Sequence, residues 1–111
     1  MNEDKYDIKE TVYFHKWLEK QPEQLFSRIL TRINRVKKGN WGEYRWIDNK
    51  IVELKFDFGK GYRIYFAIKQ QEIIILLNGG DKSSQDRDIE KAKKIFEELK
   101  NPKKGVIYER K

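Results

Sequence analysis

Apolar residues recur every three or four positions in three segments of the chain, and this spacing predicts three helices. Thr11 is suited to cap the first helix, which is short and ends near residues 20–21. Pro22 opens the second, longer helix, because a proline at the first position loses no hydrogen bond there, and Gly39-Asn40 ends it. The inward-facing residues predicted are Phe14, Trp17 and Leu18 in the first helix, Leu25, Phe26, Ile29, Leu30, Ile33 and Val36 in the second, and Ile89, Ala92, Ile95, Phe96 and Leu99 in the third.

Outside these helices the apolar period changes to two, as is typical of strands. Residues 43–47, 51–58 and 62–68 alternate apolar and polar side chains, and residues 6–10 do so in a first short strand. Residues 73–77 are apolar on both faces, which indicates a strand that is covered on both sides.

The hairpin between the two longest alternating strands can be assigned a register from its pattern. A two-residue loop would place Phe56 opposite Arg63 and would mix apolar with charged residues on each face. We therefore predict a three-residue loop, Gly59-Lys60-Gly61, with Gly61 at positive φ. The pairs expected from it are Phe58 with Tyr62, Phe56 with Ile64 and Leu54 with Phe66, and the opposite face carries Lys55, Asp57, Arg63 and Tyr65.

The aliphatic strand ends in Gly79-Gly80 and passes into a segment, residues 81–89, that is rich in charged and hydroxyl side chains. We expect the glycines to let the backbone turn sharply and to leave room for a ligand. In an antiparallel sheet this segment emerges beside Arg63, so that Arg63 and Lys82 would flank one concave surface able to hold a phosphodiester. Two plainer interpretations stay open: Ser83, Ser84 or Asp86 only caps the following helix, and Arg63 only pairs with Asp57.

The composition restricts the possible binding partners more than it restricts the fold. A chain of 111 residues fits one domain, residues 1–111, whose segment 100–111 is a short basic tail that either adds an edge strand or is disordered. The net charge of +7 favours a polyanion, nucleic acid before membrane, although plain solubility also explains it. The absence of cysteine and the single histidine argue against disulfides and a metal site. No apolar run reaches about 18 residues, and we expect a cytoplasmic protein.

Three sets of residues allow both a functional and a structural interpretation. Arginines spaced by four and three on the second helix are most often its solvated face. The single histidine, His15, has no evident partner in the sequence and is interpreted as a surface or packing residue. Aromatic side chains can stack RNA bases, but those on strands more often pack against the protein. The arginines are Arg28, Arg32 and Arg35, and the aromatic residues are Trp41, Tyr44 and Trp46.

The stretches GNWGEYRWI, IVELKFDFGKGYRIYF and IIILLNGGDKSSQDRDIEKAK follow an FHKWL segment and an RILTRI segment, in this order. Together they resemble the RelE/HigB-type toxin superfamily of bacterial toxin–antitoxin systems, in particular the branch often labelled addiction module killer proteins. The resemblance covers Tyr6 to Lys94. It implies an α+β RelE-like fold, with two N-terminal helices packed on a twisted, mainly antiparallel sheet of four to five strands and a C-terminal helix.

The resemblance also implies an activity. It implies a toxin that inhibits translation by cutting mRNA, commonly at the ribosome, and that a helix-turn-helix antitoxin encoded beside it neutralises. The chemistry that fits these residues needs no metal and no cofactor: the 2′-hydroxyl of RNA attacks its adjacent phosphate and leaves a cyclic phosphate and a 5′-hydroxyl. We expect the toxin without its antitoxin to be a monomer.

The site residues follow from the resemblance, position by position. Arg63 matches the catalytic arginine after Gly-Tyr, Lys82 matches a basic residue after the final core strand, and Lys55 approximately matches basic residues of the preceding strand. Arg63 would stabilise the pentacoordinate phosphorane, and Lys82 or Lys55 would transfer a proton. The aromatic residue that some relatives use is absent from the stretch SSQDRD, where Gln85 is the substitute candidate. The residues expected to contact RNA are Arg45, Lys60, Tyr65, Ser83, Ser84 and Gln85.

Two other functions stay open from the sequence. A toxin on the same fold can act on another target, such as gyrase, and its induction would damage DNA instead of arresting translation. A non-catalytic RNA-binding module would leave growth unaffected, and its RNA affinity would fall with salt.

Overall fold

The computed structural model describes residues 4–100 and the backbone of residues 107–109. Within this part the chain forms three α-helices and six strands. Their bounds are β1 Asp7–Thr11, α1 Val12–Glu19, α2 Glu23–Lys37, β2 Tyr44–Trp46, β3 Ile51–Lys55, β4 Arg63–Lys69, β5 Ile73–Gly80, α3 Gln85–Lys100 and β6 Ile107–Glu109, with a 3₁₀ turn at Lys82–Ser84. Among the described helices, none combines the length and the apolar character that crossing a membrane requires.

The six strands form one sheet in the order β2-β3-β4-β5-β1-β6. β1 runs parallel to β5, and all other neighbours are antiparallel. α1 and α2 pack on one face of the sheet, and α3 packs on the other. The predicted α+β fold is therefore confirmed. The sheet has six strands instead of four to five, because the tail contributes β6 as an edge strand beside β1.

Alternation along the central strands divides the core into two layers. On the α1/α2 face, β3 and β4 contribute Val52, Leu54 and Ile64, whereas Ile51 and Tyr65 point to the α3 face. β5 is buried on both faces, as its unbroken apolar pattern predicted. Its residues Ile74 and Leu76 lie in the first layer, and Ile75 and Leu77 lie in the second.

The predicted start of the first helix is confirmed. The Thr11 hydroxyl accepts a hydrogen bond from the Phe14 amide at 3.1 Å and donates one to the Leu77 carbonyl at 2.6 Å. Thr11 therefore caps α1 and ties it to β5. Pro22 immediately precedes α2, whose fully buried residues are Leu25, Ile29, Ile33 and Val36.

The predicted register of the β3–β4 hairpin is wrong by two residues. Leu54 pairs with Ile64 instead of Phe66, and Lys55 pairs with Arg63. The strands separate after Lys55, and a hydrogen bond of 3.0 Å from the Phe56 amide to the Tyr62 carbonyl closes a longer loop. A shift of two residues leaves every side chain on its original face, so the apolar pattern does not distinguish the two registers.

The structure tests two further predictions about this loop, the φ of Gly61 and the place of Asp57. Gly61 has a φ of 73°, which confirms the predicted positive φ. Asp57 lies beyond the end of β3 and lines an opening beside α2, so its predicted place on the Arg63 face is wrong.

The role predicted for Gly79-Gly80 is also wrong. Both residues belong to β5, and neither has a positive φ. Their missing side chains make room for neighbours instead: a β-carbon on Gly79 would lie 2.6 Å from the Trp17 ring, and one on Gly80 would collide with the Asp88 carboxylate. The glycines therefore allow α1 and α3 to pack closely against the end of β5.

Candidate RNA-binding and catalytic site

Arg63 is the first residue of β4 and lies at the end of the sheet where the β3–β4 hairpin and the segment after β5 meet. The residue is only 7% exposed. Its Nη1 donates a hydrogen bond to the Gly61 carbonyl at 2.8 Å, and its Nε lies 3.8 Å from Glu53 Oε2. Nε is buried and has no hydrogen-bond partner in the part of the chain that the structure describes. The guanidinium thus keeps unused donor capacity.

Lys82 begins the turn that follows β5, and its backbone amide bonds to the Lys60 carbonyl at 3.2 Å. A β-carbon on Gly61 would lie 3.3 Å from Lys82 Cβ and 3.5 Å from Arg63 Nη1. The Lys82 side chain therefore leaves the backbone beside the Arg63 guanidinium. Two basic residues that are distant in the chain are thus neighbours at one end of the sheet, next to the hairpin loop that carries Lys60.

Lys55 is the cross-strand partner of Arg63, but its ammonium group takes another direction. The Nζ atom lies 3.6 Å from Glu43 Oε2, and the side chain lines an opening together with Arg32 and Arg35. Lys55 is exposed, so this ion pair is weak and leaves the side chain free to move.

Glu53 organises the site, and sequence reasoning missed it. This carboxylate is only 3% exposed and accepts three hydrogen bonds, from Arg45 Nε at 2.7 Å, from the Tyr65 hydroxyl at 3.0 Å and from Gln85 Nε2 at 2.9 Å. Burial alone raises the pKa of Glu53, but the hydrogen bonds from Arg45, Gln85 and Tyr65 and the charge of Arg45 outweigh it and leave the pKa lowered. Glu53 is therefore a carboxylate at neutral pH and places a negative charge beside Arg63.

A signal for Glu53 was present in the sequence. It is the single acidic residue of β3, on the polar side of the alternation, and its cross-strand partners are Arg45 and Tyr65. A test of opposite-charge pairs across the predicted strands would have found the Arg45 contact.

Three of the predicted RNA contacts surround Glu53, and their side chains differ in exposure: Tyr65, Gln85 and Arg45. Tyr65 is completely buried, so its predicted contact with RNA is wrong. Burial and the Glu53 charge raise the pKa of its hydroxyl. The Gln85 side-chain amide donates a hydrogen bond to Glu53, and the residue is partly exposed. Arg45 has a side chain that is 58% exposed and can reach a ligand while it holds Glu53.

The segment after β5 is shaped by its own polar residues. Asp81 caps the turn, since its carboxylate accepts hydrogen bonds from the Ser83 amide and hydroxyl, and Ser84 Oγ bonds to the Asp88 carboxylate. The connection is therefore capped, as the plainer interpretation held, but the cap is Asp81, at the 3₁₀ turn, instead of Ser83, Ser84 or Asp86. Ser84 completes it, because its Oγ accepts from the Asp81 amide at 3.4 Å. Ser83 and Lys60 are exposed, so they are also available to a ligand.

Asp88, in the first turn of α3, is a second carboxyl group close to the site. Its side chain occupies the space beside Gly80, which is the cross-strand partner of Arg63. Because cross-strand partners lie about 5 Å apart on one face, Asp88 and Arg63 are neighbours on the α3 face of the sheet. Burial raises the pKa of Asp88, with Ser84 opposing the shift.

The structure also shows the surroundings of the histidine, the α2 arginines and the aromatic residues, for which the sequence allowed two interpretations. His15 does have partners: its Nδ1 lies 2.7 Å from Glu10 and its Nε2 lies 3.1 Å from Glu19. Arg32 is not simply solvated, because it donates to the carbonyls of Trp41, Glu43 and Lys55 at 2.7–3.0 Å. Tyr44 and Trp46 are 47% and 49% exposed, and Trp41 packs between both rings and Phe66.

The chain is similar to known proteins over most of its length. The family model described as Phage derived protein Gp49-like (DUF891) matches residues 16–100. An uncharacterized protein of Haemophilus influenzae is 42% identical over 93 residues, which cover 83% of this chain and 94% of that protein. The chain therefore belongs to the Gp49-like family of phage-derived proteins, which is associated with toxin–antitoxin systems.

Proposed function

We propose that this protein is the toxin of a type II toxin–antitoxin system, of the RelE/HigB type, and that it inhibits translation by cutting mRNA on the ribosome. The observation that carries the proposal is Arg63, a nearly buried arginine with unused donors, held beside Lys82 at one end of a rigid sheet. Membership in a toxin–antitoxin-associated family supports the toxin role and a neutralising antitoxin as partner.

The reaction proposed is a transesterification within the RNA. The 2′-oxygen forms a bond to the adjacent phosphorus, the bond from phosphorus to the 5′-oxygen breaks, and a cyclic phosphate and a 5′-hydroxyl result. The 2′-hydroxyl gives up its proton to solvent water, and the leaving 5′-oxygen takes one from a lysine ammonium group. Arg63 would donate its free N–H groups to the non-bridging oxygens, where negative charge grows in the transition state.

Glu53 and Gly61 fix the position of this arginine. The Gly61 carbonyl holds Nη1, and the Glu53 charge keeps the guanidinium at the end of β4. A donor that is already in place loses little freedom when the phosphate arrives, which is how preorganised sites lower a barrier.

The proton for the leaving 5′-oxygen is proposed to come from Lys82, with Lys55 as the second candidate. Lys82 is exposed beside Arg63, so its ammonium group can approach the leaving oxygen. Lys55 would first have to leave Glu43. Neither lysine orients the 2′-hydroxyl, and the ribosome would provide that orientation by holding the mRNA in a fixed path.

Arg63→Ala tests the proposal in cells that express the protein from an inducible promoter. Amino-acid incorporation and primer extension on a reporter mRNA are measured after induction. The wild type should arrest incorporation and produce new 5′ ends, whereas Arg63→Ala should leave the mRNA intact, and Lys94→Ala, an exposed change on α3, should behave as the wild type. Equal cleavage by Arg63→Ala would disprove the catalytic assignment, and DNA damage without mRNA cleavage would indicate a toxin with another target, such as gyrase.

A further inference from the structure

A groove runs between α2 and the β3–β4 hairpin, on the sheet face opposite to Arg63. It has a volume of about 390 Å³, and an adjoining opening of about 170 Å³ continues it along the helix. Both share Arg32, Arg35 and Asp57, and the larger one also contains Arg28 and Phe58. The two openings together form one surface, which we call the α2 groove.

The α2 groove carries a positive net charge. Among the described residues, the basic ones that line it are Arg28, Arg32, Arg35 and Lys55, and the acidic ones are Asp57, in both openings, and Glu43, in the smaller one. Such a surface attracts an anion with several charges.

The three arginines of the groove have different tasks. Arg32 uses its donors on three backbone carbonyls and stacks on Phe56, with its Cζ 4.8 Å from the ring centre, so it holds the hairpin and the loop before β2. Arg28 lies over Phe58 at 4.3 Å, a contact that leaves its N–H groups free. The Arg35 side chain has no hydrogen bond or ion pair within residues 4–100, although its carbonyl accepts from the Lys38 and Asn40 amides.

Arg28 and Arg35 therefore present two guanidinium groups, both exposed, two helical turns apart. Seven residues of an α-helix rise about 10 Å. The two guanidinium groups can therefore contact different phosphates of one RNA strand. Ser27, one residue before Arg28, adds an exposed hydroxyl to the same wall. Arginine and serine side chains are common contacts of phosphate oxygens.

A phosphodiester fits this groove better than an acidic peptide. An amphipathic peptide needs apolar surface to bury its apolar side chains. Phe56 is only 4% exposed, and Arg28 lies over the Phe58 ring, so these two rings of the groove offer a peptide little apolar surface. Its free capacity consists of charged donors, which is what a chain of phosphates uses.

We propose that Arg28 and Arg35 bind the sugar–phosphate backbone of RNA in the α2 groove, as a second contact separate from Arg63. The RNA is either the mRNA substrate or the ribosomal RNA that surrounds it. This inference extends the function proposed above, but RNA binding in the groove does not require that Arg63 be catalytic.

The test compares Arg35→Gln, Arg28→Gln and the double variant with the wild type. Arg35→Gln is the cleanest change, since that side chain has no hydrogen bond or ion pair to lose among the described residues, and Arg35→Lys should recover most of the affinity because it restores the charge. Lys94→Gln, which removes one exposed positive charge on α3, is the matched control. Binding to a fluorescent 12-nucleotide oligouridylate and to purified ribosomes is measured between about 50 and 200 mM salt.

Each glutamine variant should weaken binding about fivefold, and the slope of log affinity against log salt should fall by about 0.7 for each contact with single-stranded RNA. Loss of oligonucleotide binding assigns the groove to mRNA, and loss of ribosome binding alone assigns it to ribosomal RNA. Unchanged binding to both probes would overturn the inference, including the case in which the variants lose only the antitoxin.

These outcomes separate the inference from the nuclease proposal. If the wild type cuts no mRNA but its RNA binding still depends on Arg28 and Arg35, the groove assignment stands and the nuclease proposal fails. If mRNA is cut and Arg63→Ala is inactive, but the glutamine variants bind RNA normally, only the groove assignment fails.

Discussion

Replacing Glu53 by glutamine tests the central structural claim about the site. Glu53→Gln keeps the size of the side chain and one acceptor oxygen, but it removes the charge and turns the other oxygen into a donor. Three donors converge on this carboxylate, from Arg45, Tyr65 and Gln85, and the carboxylate is 3% exposed. At least one donor will therefore face the new amide nitrogen and lose its partner.

The cost can be worked out from these contacts. A hydrogen bond to a charged group contributes about 1.5–3 kcal/mol, and an unpaired buried donor costs about 1–3 kcal/mol. The Arg45 side chain is 58% exposed, so water compensates part of its loss. We expect a loss of about 3 kcal/mol in the free energy of unfolding, and a melting temperature about 12 °C lower for a domain of this size.

Urea denaturation at several pH values gives the measurement, with Glu90→Gln as control. Glu90 is exposed, and its one ion pair within residues 4–100 is with Lys93 at 3.4 Å, so its replacement should change stability by less than about 0.5 kcal/mol. Folding lowers the pKa of Glu53, so its stabilisation is complete above the ordinary value of 4.5 and is lost as pH falls through the lowered value. A Glu53→Gln protein as stable as the wild type at pH 7 would refute this reasoning, and so would a difference that stays constant down to pH 3.

Three further predictions concern packing and charge. Arg32→Ala should lower the free energy of unfolding by about 2–3 kcal/mol in urea denaturation, because three carbonyls lose their donor. The control Arg35→Ala should change it by less than about 0.5 kcal/mol. Equal losses would contradict the structural role of Arg32. Burial raises the pKa of Asp88, so its stabilising effect is present below the ordinary 3.8 and is lost as pH rises through the raised value; Asp88→Asn should therefore gain stability relative to the wild type between pH 4 and pH 7, and a constant difference would contradict the shift. Gly79→Ala should be destabilised by at least about 2 kcal/mol, measured in the same way, since the new methyl group would meet the Trp17 ring at 2.6 Å; an unchanged midpoint would show that the ring moves aside.

The sequence predicted the faces of the sheet well because the period of two is a strong constraint. Val52 and Leu54 had to point to one side and Glu53 to the other, whatever the exact pairing. The register depends on the loop, and the chain of the β3–β4 loop can close in more than one way with glycine at 59 and 61. A shift of two residues changed every pair and no face, so Arg63 and Lys55 were placed on neighbouring strands correctly although their exact pairing was not predicted.

The site was harder to predict because its contacts join distant elements. Glu53 receives hydrogen bonds from β2, β4 and the start of α3, and a pattern along one strand contains no information on such a meeting point. The role of Gly79 and Gly80 was predicted wrongly for a related reason. A glycine can serve a turn or a close approach, and only the positions of Trp17 and Asp88 decide between the two.

The hairpin loop connects the two basic surfaces of the molecule, and its shape depends on Gly61. This residue has a φ of 73°, and its missing side chain leaves the space in which Lys82 and Arg63 approach each other. The same loop carries Phe58, on which Arg28 lies in the α2 groove on the opposite side. Any residue other than glycine at this position would strain the backbone, and its β-carbon would press on Lys82 Cβ at 3.3 Å. The catalytic residues proposed here and the proposed RNA groove are thus positioned by one short loop, so a change in its shape should affect both sites together, whereas a change at Arg35 should affect only the groove.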